Sequence, residues 1–138
     1  MEGKKVHELK PGDRAEFSKT ISESDVYLFA GITGDFNPAH VNEHYSQGTF
    51  FKSRIAHGLL TAGFISTVIG TVLPGPGTIY MKQDLSFLAP LYINDTVTAS
   101  VEVLETDVDK NRVLLKTQCK NQKGKLLVDG QALVSPPK

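Results

Sequence analysis

Apolar and polar residues alternate through most of the second half of the chain. Val97, Ala99, Val101 and Val103 are interleaved with Thr98, Ser100 and Glu102. Val113, Leu115, Thr117 and Cys119 share one parity in the next run, and Leu126, Val128, Gly130, Ala132 and Val134 share one in the last. Residues 78–87 form an earlier run rich in β-formers, with Ile79, Met81, Leu85 and Phe87 on one parity. A period of two sends successive side chains to opposite faces, so each run predicts a strand with one covered face. The breaks Asn94-Asp95, Asp109-Lys110-Asn111 and Gln122-Lys123-Gly124 carry turn chemistry. Connections this short predict antiparallel hairpins among the last three strands. Residues 15–20 predict one more strand, which makes about five.

A different pattern occupies residues 55–73, which contain no Asp, Glu, Lys or Arg. The stretch approaches the length of a membrane span. Gly58, Gly63 and Gly70, His57 and four hydroxyl residues interrupt it. Leu60, Phe64, Val68 and Val72 repeat every four residues and predict an apolar helical stripe, while Gly63, Ser66, Thr67 and Gly70 form a face of small residues. The pattern fits a core helix closely wrapped by something else, not a membrane span. Pro74-Gly75-Pro76-Gly77 ends it. Upstream, Ser22-Glu23-Ser24-Asp25 has the form of a capping box and predicts a short helix through Ala30, ended by Gly31 and Gly34. Between residues 33 and 53 the periodicity is lost. A long irregular segment inside a compact domain is usually functional. No repeat, linker or low-complexity tract divides residues 1–138, so one domain is expected. A sheet that needs a cover and a helix that needs wrapping predict an α+β fold, the sheet curled around the helix.

Composition narrows the function. The 138 residues suit one domain, and 40% hydrophobic with 22% charged residues excludes a disordered tail or a membrane protein. Fifteen Lys and Arg balance fifteen Asp and Glu. A general nucleic-acid binder needs a basic face, so nucleic acid is not an expected partner. Cys119 is the only cysteine, which excludes an internal disulfide and a multi-cysteine zinc cluster. Met1-Glu2-Gly3-Lys4-Lys5 leads into polar residues, so no secretory signal is read and a cytoplasmic location is expected.

The densest polar cluster is Gly34-Asp35-Phe36-Asn37-Pro38-Ala39-His40. A turn forced by Asn37-Pro38 can bring Asp35 and His40 to one point. An acid and an imidazole sharing one water form an acid/base pair. A helix-capping Asp beside a solvated His is the plainer reading of the same spacing. His40-Val41-Asn42-Glu43-His44 also spells the H-x-x-E-H pattern of some zinc peptidases, which needs His40 and His44 on one helix face. That motif is short, lacks a third ligand, and is set aside; no metal is expected. His57-Gly58 opens the long helix. Unpaired N–H groups and a partial positive charge lie there, and a glycine lets a carbonyl oxygen come close. His57 itself is read as structural.

These segments carry a resemblance. Residues 34–40, followed by Arg54-Ile55-Ala56-His57-Gly58-Leu59-Leu60, resemble the MaoC-like (R)-specific enoyl-CoA hydratases, enzymes of the hot-dog fold. Asp84-Leu85-Ser86-Phe87-Leu88-Ala89-Pro90 and Asn94-Asp95-Thr96-Val97 are similar as well, and the likeness spans residues 9–134. Ala39 stands where the family more often has a larger aliphatic residue. The resemblance implies that Asp35 and His40 hold the reacting water and that the Gly58 N–H polarises a thioester carbonyl. It also implies that Ser66, Ile69 and Val134 lie near the acyl chain. The implied reaction is reversible syn hydration of a trans-2-enoyl-CoA by a homodimer, with no cofactor beyond the CoA of the acyl-CoA substrate. Other readings are a hot-dog 3-hydroxyacyl-thioester dehydratase or thioesterase on acyl carrier protein, and a non-catalytic acyl-CoA-binding module.

Overall fold

The computed structural model describes all 138 residues. Following a 3₁₀ turn at Val6–Glu8, the elements are β1 (Arg14–Thr20), α1 (Glu23–Thr33), α2 (Pro38–Val41), α3 (Glu43–Gln47) and α4 (Gly58–Thr71). Then come β2 (Ile79–Gln83), β3 (Ser86–Phe87), β4 (Thr96–Asp107), β5 (Arg112–Lys120) and β6 (Leu126–Ser135). The sheet is antiparallel, in the order β1-β4-β5-β6-β2, with β3 pairing on β6.

The expected hairpins form. Asn94, Asn111 and Gly124 take positive φ at 76°, 55° and 78°, the left-handed values those turns require. The parities predicted for β4 and β5 hold: Val97, Ala99, Val101 and Val103 are buried, as are Val113, Leu115, Thr117 and Cys119. Register places Ala99 opposite Cys119 and Leu115 opposite Ala132, so inward side chains meet in rows. In β6 a register shift near Cys119 and Lys120 lets both Leu127 and Val128 be buried.

The run at 78–87 behaves differently. It breaks at Asp84 and Leu85 into β2 and β3, so the sheet has six strands where about five were expected. Of its apolar parity only Leu85 packs against the core; Ile79, Met81 and Phe87 are exposed. β2 lies at the end of the strand order.

The long helix is α4, lying across β4 and β5 with β1 and β6 at its margins. Its buried face is Thr61, Ala62, Ile65, Val68 and Ile69, not the predicted stripe of Leu60, Phe64, Val68 and Val72. Of that stripe only Val68 is buried; Leu60 and Phe64 are half-buried and Val72 is exposed. The helix is apolar on nearly every side, so periodicity alone could not choose the inward face. Gly63, Ser66 and Gly70 lie exposed on the other side. The expected capping box forms. Ser22 Oγ accepts from Asp25 N–H and Asp25 closes the box, but α1 runs three residues past Ala30. Gly34 ends it, in the left-handed conformation with φ 81°.

Ile69 is 2% exposed and packs within the continuous apolar core that α4 shares with β4, β5 and β6. Ile69→Ala should therefore destabilise the fold by about 2–5 kcal/mol. Urea unfolding followed by circular dichroism checks this; a loss well under 1 kcal/mol would remove Ile69 from the core.

Candidate active site

The segment that lost its periodicity holds two short helices, α2 and α3, and each is set by an asparagine. Asn37 caps α2: its Oδ1 accepts from Ala39 N–H at 3.0 Å, with Pro38 in the first helical position. Asn42 caps α3 in the same way, accepting from Tyr45 N–H at 3.0 Å. The chain bends at Asn42, so His40 and His44 sit on different helices. His44 is exposed, and Glu43 turns to Arg54. The zinc-peptidase reading of this motif has no shared helix face to stand on.

The cap at Asn37 aims the predicted pair. Asp35 Oδ1 accepts from Asn37 N–H at 3.2 Å, which holds the carboxylate at the mouth of α2. One turn later His40 is buried, 9% exposed. Its Nδ1 lies 2.7 Å from the Ile55 carbonyl. A carbonyl only accepts, so Nδ1 carries the proton and Nε2 keeps a free lone pair. Burial is the main force holding His40 below the usual imidazole pKa, with neighbouring His57 adding to it; the Ile55 carbonyl and Asp35 pull the other way. The imidazole is thus neutral near pH 7, a base with its accepting nitrogen unspent.

His57 joins them. One ligand-type atom each from Asp35, His40 and His57 lies within 4.8 Å of the others. Each histidine has committed one ring nitrogen to a main-chain carbonyl, Ile55 for His40 and Asp35 for His57.

Gly58 is the first residue of α4, where backbone N–H groups have no helical partner. Phe87 packs so closely that a Cβ on Gly58 would meet its Cδ1 at 2.7 Å. Two concavities meet at His40, Gly58 and Phe87. One, of about 370 Å³, reaches Asp35, His57 and Phe29. The other, of about 420 Å³, is apolar and runs past Phe50, Phe51, Ile55, Leu88 and Leu91. A larger concavity at the β4–β5 hairpin, lined by Asp107, Asp109 and Lys110, contains no histidine.

The surrounding loop is braced. Arg54 donates from Nε to Glu43 at 2.9 Å and reaches Glu23 at 3.4 Å and the Tyr27 hydroxyl. Ser46, fully buried, donates its hydroxyl toward the Pro38, Ala39 and Asn42 carbonyls and ties α3 to α2.

This geometry makes the comparisons with known proteins specific. The model of the MaoC like domain matches residues 6–123. The chain belongs to the MaoC-like family. A relative from Rhodospirillum rubrum named (R)-specific enoyl-CoA hydratase is 55% identical over 130 residues, covering 94% of this chain and 90% of its own. One from Methylorubrum extorquens, named 3-hydroxybutyryl-CoA dehydratase, is 48% identical and covers 95% and 83%. The solved structure of an unliganded R-hydratase from Pseudomonas aeruginosa superposes with a TM-score of 0.93 at 46% identity, covering 99% of this chain and 87% of that one. The hot-dog fold expected from the MaoC-like resemblance is therefore the fold of this chain.

Not every residue carried over by the resemblance reaches the cavities. Asp35, His40 and Gly58 do. Ser66 is exposed on the outer face of α4, and Ile69 and Val134 are core residues, 2% and 0% exposed. Within this chain none of the three lines the apolar concavity, which is built from the loop at Phe50 and Phe51 and from residues 87–91. Those aromatics carried no periodic signal, because they lie in loops. The Asn37 cap makes a direct test of the dyad's scaffold. Asn37→Ala should lower stability by about 1 kcal/mol, and Asn37→Asp, which keeps an acceptor, should lose less. Equal losses in urea titrations of both variants would detach the cap from the fold.

Proposed function

We propose that this chain is an (R)-specific enoyl-CoA hydratase, a hydro-lyase that reversibly adds water to a trans-2-enoyl-CoA. One observation carries the reading: an ionisable carboxylate and a neutral imidazole with a free nitrogen meet where an apolar concavity ends against a helix N-terminus. The names of the relatives from R. rubrum and M. extorquens point the same way.

The chemistry follows from the placement. The thioester carbonyl sits toward the Gly58 N–H, where the start of α4 stabilises negative charge as the enolate develops. Water held between Asp35 and His40 gives up a proton to the pair, and its oxygen bonds C3. The π electrons move toward C2 and the carbonyl. The pair then returns one proton to C2. Oxygen and proton arrive from the same side, so addition is syn. Nothing is oxidised or reduced, so the step calls for no redox group, and CoA enters as part of the substrate.

The test is hydration of crotonyl-CoA, followed by loss of the enoyl absorbance, with chiral analysis of the 3-hydroxy product. Asp35→Asn and His40→Gln should each lower kcat by at least ~10²-fold while staying folded. Near-full activity in either variant would remove the pair from the mechanism. A preference for substrates on acyl carrier protein would favour the dehydratase reading, and tight acyl-CoA binding without turnover the binding module.

The surface supports a homodimer. β2 ends the sheet with an open edge, and Ile79, Met81, Leu59, Phe87 and Leu88 lie exposed nearby on β2, β3 and the head of α4. An open edge flanked by apolar side chains is a pairing surface. Light scattering should give about 30 kDa, twice the 15.1 kDa of the chain. A monomer with full activity would refute the assembly.

A further inference from the structure

We propose that His57 is a positioning residue of the acid/base pair: it tethers Asp35 through the main chain and holds the His40 ring by stacking. The inference rests on the hydratase reading of the site.

His57 occupies the N-cap of α4, a place where Ser, Thr, Asp or Asn normally accepts from the first turn. Here the side chain makes no capping hydrogen bond. It turns instead toward the loop that carries Asp35 and is 2% exposed. Its Nε2 lies 2.9 Å from the Asp35 carbonyl oxygen. The carbonyl can only accept, so Nε2 carries the proton. Nδ1 is buried with no partner. The ring is thus held as one tautomer, with a second proton finding no acceptor.

Two further contacts locate the ring. It stacks on His40, centroids 3.9 Å apart and planes 30° apart, and Phe29 tilts against it at 4.7 Å. His57 therefore touches both members of the pair, and its own carbonyl accepts from Thr61 N–H as α4 begins at Gly58. The tether matters because Asp35 has little else. Its N–H donates to Thr33 Oγ1, at the end of α1, at 3.2 Å and its carboxylate accepts from Asn37 N–H, both within two residues of it. The bond from His57 is the only hydrogen bond reaching Asp35 from elsewhere in the chain. A phenyl ring would fill the same slot without an orphan nitrogen. What the imidazole adds is the N–H to Asp35.

The two contacts can be separated. His57→Phe keeps a ring against His40 and loses the donor; His57→Gln keeps an N–H within reach of the Asp35 carbonyl and loses the ring. With crotonyl-CoA, His57→Phe should lower kcat by about 10- to 100-fold with KM within about threefold, the pattern of a misplaced catalytic group. His57→Gln should recover a substantial part of that loss. Melting curves show that both variants fold. A folded His57→Phe variant with wild-type kcat, or a His57→Gln variant no better than it, would overturn the tether. Nitrogen-15 spectra of the unmodified protein give a readout independent of turnover. The His57 ring should appear as the Nε2–H tautomer at pH 7, and an Nδ1–H or doubly protonated ring would overturn the assignment. If the unmodified protein hydrates no enoyl thioester, the functional reading fails, and the tautomer then decides the His57 contact by itself.

Discussion

The N–H of Ala56 donates to the Leu91 carbonyl at 2.7 Å, and this bond fixes where the central helix begins. The three residues around it carry the rest of the site. The Ile55 carbonyl takes the Nδ1 proton of His40, the His57 ring reaches Asp35, and Gly58 starts the helix. Four consecutive residues thus set a tautomer, a carboxylate's tether and a patch of free N–H groups. A shift of this segment by one residue would misplace all three.

The reason the segment can be held so firmly lies in the fold behind it. α4 drives Ile65, Val68 and Ile69 into the rows of side chains offered by β4, β5 and β6. Its axis is then set by close packing, which tolerates little displacement. The chemistry stays at the rim, where α4 emerges and water can enter. Asp35 remains exposed, and His40 lies just below the surface, where burial holds its imidazole below the usual range. Cys119 shows the opposite end of that gradient: in the core, burial pushes its thiol up to about 12, and it is inert packing.

The apolar surface left outside completes the logic. α4 is apolar on most sides, and β2 stands at the end of the strand order with Ile79 and Met81 exposed. Leu59 and Phe87 border the catalytic rim and are also exposed. Site and outer face are therefore neighbours on the molecule. No helix is long and apolar enough to cross a membrane; within residues 55–73, Ala62, Ile65, Val68, Ile69 and Leu73 pack in the core.

Much of this was readable from residue order. Alternation located β4, β5 and β6, turn residues located their hairpins, and Asn37-Pro38 announced the cap that brings Asp35 and His40 together. These signals are local: period, cap and turn chemistry act over a few residues, and each dictates its own backbone. Other features had no local signal. Every side of α4 is apolar, so only the sheet could choose Ile65 and Ile69 over Leu60 and Phe64 as the inward face. Ile79 and Met81 alternate like core residues, yet both are exposed on the last strand of the sheet order. His57 reads from sequence only as structural; a loop 22 residues earlier in the chain, brought against it, gives its ring a partner. Sequence by itself located α1, α4 and the strands β4, β5 and β6 and offered Asp35 and His40 as a candidate pair, because those signals depend on neighbours along the chain. The tertiary structure decided which faces are inside and how the pair is held, because those depend on contacts between segments that no short pattern records.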